Sequence, residues 1–249
     1  MKLLVDLGNT RLKCALWDGH ALRYLGALPH VDAGQLPGLE ELWEEIHDVS
    51  AVLIASVAQA VLEQRIVQHA RQCFGVEARL LTSPAAACGV RNAYAHPERL
   101  GVDRFLGLIA LHAVQPGPYV LASCGTALTL DALAFDGAHL GGLIAPSPPL
   151  MRDALTGATA RLKAPRHARI VERADNTDDA LESGVWLAAA ALLERFLAHA
   201  QADCGARPEL VLTGGGAAQL APLIPAPHRI DPELVLRGLA TYADSLGSG

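Results

Sequence analysis

The chain has 249 residues, 51% of them hydrophobic and only 4% aromatic, so Ala, Leu and Val supply core material for one large domain or two of roughly 120 residues. Its 26 acidic and 20 basic residues give a formal charge of -6 with no basic cluster, which argues against nucleic acid as a partner. Cys14, Cys73, Cys88, Cys124 and Cys204 are scattered, odd in number and never in a C-x-x-C pair, which speaks against a disulfide framework or zinc site and fits the reducing cytoplasm.

Met1 to Asp6 is too short an apolar run for a signal segment, because Asp6 interrupts it. Leu3 to Val5 reads as a strand, Gly8-Asn9 as a turn, and Leu12, Cys14 and Leu16 alternate with Lys13 and Ala15 as a second strand. Asp18-Gly19 is another turn signal, with Ala21 to Leu28 as a third antiparallel strand. A helix is expected over Leu39 to Ile46, a strand over Ala51 to Val57, a helix over Ala58 to Phe74 and a strand over Ala78 to Leu81, which together imply a parallel βαβ unit. Thr82 to Leu100, with Pro84, Gly89 and Pro97, reads as a loop-rich connector, and Gly101 to Val114 as a helix.

From Tyr119 the opening pattern returns. An apolar run meets Ser123-Cys124-Gly125-Thr126, then come a strand over Ala127 to Ala134, the turn Asp136-Gly137 and a strand leading to Gly141-Gly142. Aligning Asp6-Leu7-Gly8-Asn9-Thr10 with Ser123-Cys124-Gly125-Thr126 sets a Gly and a Thr after a strand end in both halves. Duplication at about half the chain length predicts two similar α/β domains, residues 1–115 and 116–249, facing a cleft. Helices are expected over Pro149 to Leu162, from Thr177 onward with Asn176 or Thr177 as its cap, over Ala217 to Leu220 and over Pro232 to Ser245. Leu210 to Thr213 is a buried-strand pattern ending in Gly214-Gly215-Gly216. The most apolar stretch, Val185 to Leu193, is about half of a membrane span and reads as buried helix, so no membrane is expected.

Four constellations carry chemistry. Asp6-x-Gly8-x-Thr10 at a hairpin turn offers close backbone N–H groups and a hydroxyl to phosphate, and Asp6 beside an anion makes sense if it holds Mg2+, directly or through water. Gly125-Thr126 is a matching cradle, and Gly214-Gly215 permits flat approach of a ligand ring such as adenine. Gly101-Val102-Asp103-Arg104 joins a carboxylate able to take a hydroxyl proton to a guanidinium that suits an acidic acceptor.

In this order these motifs, with Asn176-Thr177-Asp178-Asp179-Ala180, resemble the type III pantothenate kinases, within the superfamily of acetate and sugar kinases, actin and the heat-shock chaperone ATPases. The resemblance covers nearly the whole chain. It implies two duplicated ribonuclease H-like domains flanking a nucleotide cleft, a homodimer, and ATP-dependent phosphorylation of pantothenate to 4'-phosphopantothenate. It further implies that Asp6, Leu7, Gly8, Asn9, Thr10, Arg11, Leu12 and Lys13 bind ATP together with Thr126, and that Tyr94, Gly101, Val102, Asp103, Arg104 and Thr177 bind pantothenate. Asp103 is then the base, and Thr177 reaches across to the second subunit. The family's second cradle opens with an Asp that holds a monovalent cation, where this chain has Ser123. Potassium, ammonium, a relocated carboxylate such as Asp131, or no cation at all are the options that remain. A non-catalytic accessory homologue, or a kinase of another hydroxy acid or sugar, are the alternatives.

Overall fold

The computed structural model describes residues 1–30, 36–165 and 167–246. In chain order the strands and helices are β1 (Lys2–Leu7), β2 (Arg11–Trp17), β3 (Leu22–Pro29), α1 (Leu39–Glu44), β4 (Ala51–Ser56), α2 (Ala60–Phe74), β5 (Ala78–Leu81), β6 (Ala86–Ala87), β7 (Val90–Arg91) and α3 (Val102–Val114). The second half contains β8 (Tyr119–Cys124), β9 (Ala127–Leu133), β10 (His139–Pro146), α4 (Pro148–Ala158), α5 (Thr177–Cys204), β11 (Glu209–Thr213), α6 (Ala217–Leu220), β12 (His228–Ile230) and α7 (Leu234–Ser245). The chain divides into two units. The first comprises the described residues of Met1–Pro116, Asp136–His139 and Glu233–Gly249, and the second those of Gly117–Phe135 and Leu140–Pro232.

The sheet of the first unit runs β3-β2-β1-β4-β5, with β1 antiparallel to β2 and parallel to β4. Strand alternation decides what each face carries. Leu3, Val5 and Leu7 on β1, with Leu12, Cys14 and Leu16 on β2, join Trp43 of α1 and Leu62 and Ile66 of α2 in one buried core. The intervening residues Leu4 and Asp6 therefore face the other side, toward which α3 and α7 pack. α3 and α7 also pack on each other so closely that a Cβ on Gly238 would collide with the Leu106 carbonyl.

The sheet of the second unit repeats the order as β10-β9-β8-β11-β12. Val120, Ala122 and Cys124 of β8, Leu128 and Leu130 of β9 and Leu210 and Leu212 of β11 pack against Val185, Trp186, Ala189 and Leu193 of α5. The expected buried segment thus lies inside a 28-residue helix. Each large side chain buried there contributes about 1.5–3 kcal/mol. The opposite face carries Leu121, Ser123, Thr129, Asp131, Val211 and Thr213, by the pairing Ser123 with Thr129, Leu121 with Asp131 and Thr213 with Ser123.

Some boundaries differ from expectation. α4 stops at Ala158 rather than Leu162, where the Thr159 hydroxyl bonds the Leu155 carbonyl and the backbone turns extended. The connector holds a two-stranded hairpin, β6 with β7, and a single 3-10 turn at Pro97–Arg99. β12 gives no apolar signal because it is a three-residue edge strand with Arg229 and Ile230 exposed. No helix among the described residues is long and apolar enough to cross a membrane.

Candidate active site

Asp6 lies one residue before the C-terminal end of β1, opposite Lys13 of β2 and beside Ala55 of β4. The turn that follows is closed by the Gly8 amide on the Arg11 carbonyl at 3.0 Å, and Thr10 is fixed by the His30 amide on its carbonyl at 3.0 Å. Leu7 and Leu12 are fully buried in the core, so at this turn they offer backbone only, whereas Asn9, Thr10 and Arg11 are exposed. Burial pushes the Asp6 carboxyl up to about 7, Lys13 pulls it back down, and the negative charge of Asp103 raises it further. The two carboxylates, far apart in sequence, thus share one electrostatic neighbourhood.

Asp103 is brought there by the first turn of α3. Gly101 caps this helix, and its carbonyl accepts the amides of Arg104 at 3.1 Å and Phe105 at 3.2 Å. A Cβ at Gly101 would come within 2.7 Å of Asp103 Oδ1 and 3.8 Å of Val57 Cγ1. Only glycine leaves the carboxylate its room. Asp103 Oδ1 accepts the Arg104 amide at 2.9 Å, which orients it. Arg104 is only 5% exposed. Its Nη1 donates to the Tyr94 hydroxyl at 3.2 Å, and its Cζ lies 6.0 Å from the Tyr94 ring centroid, at the outer limit of a cation–π contact. Val102 is buried and packs rather than reaching out. Asn92 orders this corner by accepting the Tyr94 amide at 3.0 Å while its side chain donates to the carbonyls of Pro84 and Pro97. One unit therefore gathers Asp6, Lys13, Tyr94, Gly101, Asp103 and Arg104.

In the second unit the turn after β8 is a shortened copy of the first. The Gly125 amide closes on Ala127 at 2.9 Å, so the turn is one residue tighter and lacks a counterpart of Asn9. Thr126 is exposed, and its carbonyl accepts the hydroxyl of Ser147, the residue that caps α4. Two glycines of the triglycine are needed for close packing. Gly214, at φ 87°, could not carry a Cβ without meeting the Cys124 carbonyl oxygen at 2.5 Å, and a Cβ on Gly216 would meet Cys124 Sγ at 2.6 Å. Gly215 has open space around it.

Thr177 is exposed in the first turn of α5, capped by Asn176 Oδ1 on the Asp179 amide at 2.9 Å. Asp179 is buried and holds the preceding loop, accepting the Arg169 amide at 2.8 Å and the Arg169 guanidinium at 2.8 and 3.1 Å. The Arg169 amide, then Asn176, then the Arg169 side chain hold its carboxyl down at about 2. The support given by Asp179 and Asn92 is invisible in composition or periodicity, since each acts through contacts to a loop. Asp179 alone carried a signal, as one of two acids at a helix start.

The type III pantothenate kinase family matches residues 2–199. The chain is 42% identical to the type III pantothenate kinase of Xanthomonas oryzae pv. oryzae over 249 residues, covering 98% of each. It is 34% identical to that of Nitrosococcus oceani over 252 residues, covering 98% of this chain and 94% of the relative. Among solved structures, a Campylobacter jejuni protein assigned to the Baf family of transcriptional activators aligns with a TM-score of 0.62 at 19% identity, over 99% of this chain and 100% of that one. A Sinorhizobium meliloti protein assigned as a 2-dehydro-3-deoxygalactonokinase also gives 0.62, at 14% identity over the full length of both chains. At such low identity these two likenesses concern the fold alone.

Proposed function

We infer the working of this site from one premise: the chain belongs to the type III pantothenate kinase family. It is a kinase that uses ATP to phosphorylate pantothenate in coenzyme A synthesis. In our reading Asp103 accepts the proton of the pantothenate hydroxyl as that oxygen attacks the γ-phosphorus and the bond to the β,γ-bridging oxygen breaks, ADP leaving with that oxygen, while Arg104 forks onto the substrate carboxylate beside Tyr94. Asp6, Leu7, Gly8, Asn9, Thr10, Arg11, Leu12 and Lys13, with Gly125, Thr126, Gly214 and Gly215, take the nucleotide. The observation that best supports these roles is the first turn of α3, where Gly101 leaves room for the Asp103 carboxylate and the adjacent Arg104 guanidinium is buried against Tyr94.

Mg2+ suits Asp6. A carboxyl raised to about 7 by burial and a like charge is one that a cation would return to its ionised form. No group of three or more metal-ligating side chains occurs among the described residues, so the ion would take its remaining ligands from phosphate and water. A monovalent cation suits the second cradle less well. Ser123 brings a hydroxyl without charge, and the nearest acid by strand position, Asp131, lies on the same face opposite Leu121, about 7 Å further along the strand direction. We take the enzyme to depend little on potassium or ammonium.

The enzyme is read as a cytoplasmic homodimer in which Thr177 serves the acceptor site of the second subunit. Its five cysteines are all free. Leu143 and Ile144 of β10 with Leu150 and Leu155 of α4 leave apolar side chains exposed, Ile144 by 68%, as a subunit interface requires.

Substitution Asp103→Asn tests the central assignment. Turnover with pantothenate should fall by about 10² to 10⁴ while calorimetry still detects ATP binding. Unchanged turnover would remove Asp103 from the role of base.

A further inference from the structure

The acceptor corner contains a buried titratable side chain for which the chemistry above has no use. His139 stands at the first position of β10 yet belongs to the first unit, and it is only 4% exposed. Its ring stacks on Tyr94, with centroids 6.1 Å apart and planes 18° from parallel. Its Nδ1 accepts the Ala93 amide at 3.4 Å. A backbone N–H donates only to a ring nitrogen with a free lone pair, so this contact selects the neutral tautomer with its proton on Nε2. The Arg104 guanidinium lies against the same tyrosine.

His139 is itself firmly held. The Arg91 guanidinium donates to the Asp136 carbonyl at 2.9 Å and to Asp136 Oδ2 at 2.6 Å, and the Arg91 amide donates to the Gly137 carbonyl at 2.8 Å. A Cβ on Gly137 would collide with the Gly89 carbonyl, so the two segments approach as closely as backbones can. Residues 136–139 are thereby fixed against residues 89–94.

We propose that His139 is a positioning residue for the anionic end of the acceptor. It holds Tyr94 by stacking and by the Ala93 amide, and through Tyr94 it holds the Arg104 fork in the orientation that receives a carboxylate. The proposal rests on the reading of Arg104 as the carboxylate site. Because His139 acts on the fork and not on Asp103, its loss weakens acceptor binding and leaves the chemical step intact.

Steady-state kinetics of the full-length protein test this with His139→Ala, His139→Phe and His139→Asn, with Arg104→Met as control. The alanine variant should raise the pantothenate KM on the order of 10-fold, from a lost ring contact and a lost hydrogen bond, with kcat and the ATP KM within about twofold. Phenylalanine keeps the stack and asparagine keeps an acceptor, so each should recover part of the loss. An unchanged pantothenate KM in all three variants overturns the proposal, as does a change in kcat and both KM values that simply follows a fall in Tm. If Arg104→Met raises the pantothenate KM and no His139 variant does, only the role of His139 falls. If none of the four variants does, the reading of Arg104 falls as well.

Discussion

As the proposed Mg2+ ligand, Asp6 would carry a charge where the fold resists one. Its ordinary carboxyl value is 3.8 and burial lifts it to about 7, so between those values the folded chain keeps a proton that the unfolded chain has lost. Stability therefore falls as pH rises through that window and levels off above it. Asp6→Asn removes the penalty. It should raise Tm at pH 8 by roughly 4–8 °C, corresponding to about 2 kcal/mol once partial exposure is allowed for, and by little at pH 4.5. Thermal melts of both proteins at the two pH values check this, and an equal difference at both would contradict the burial account. Among single residues the sequence pattern singles out Asp6, Asp103 and Arg104 by their chemical type, and the structure places all three in one unit. The pattern could not reveal that Leu7, Leu12 and Val102 are committed to packing by their side chains. Nor could it reveal His139, whose neighbours Ala93 and Tyr94 lie more than forty residues away.

At the scale of elements, hairpins and long helices were readable because their periodicity is local. β1 through β5 and α5 follow directly from alternation, turn residues and a cap. The triglycine was open to a ligand-approach reading, and the structure adds a second reason for it, the backbone of Cys124 against Gly214 and its sulfur against Gly216. Whether an apolar element is finished or awaits a partner is also settled only in three dimensions. β10 is an edge strand, and Ile144 on it is largely exposed, an arrangement usually covered in a working protein. Ile144→Asp should therefore convert a dimer into a monomer in sedimentation velocity at micromolar concentration, with far-UV circular dichroism unchanged. A wild-type protein that sediments as a monomer would contradict the dimer reading.

At the scale of the molecule, one sheet order occurs twice, and its signal was the recurrence of strand, Gly, Thr and strand at half the chain length. The repeat is imperfect where it matters. The second turn is one residue shorter, and Ser123 stands where the first copy has Asp6. The return of residues 136–139 and of α7 to the first unit had no sequence signal, because it depends on contacts such as Gly238 on Leu106. With Ser123 in the second turn, the chain is still expected to carry out phosphoryl transfer from ATP to pantothenate. The most direct test is a coupled assay of ADP release with ATP and Mg2+, with and without pantothenate, in sodium, potassium and ammonium salts. The account predicts pantothenate-dependent ADP release at comparable rates in all three salts. Absence of pantothenate-dependent ADP release in every one of them would contradict it.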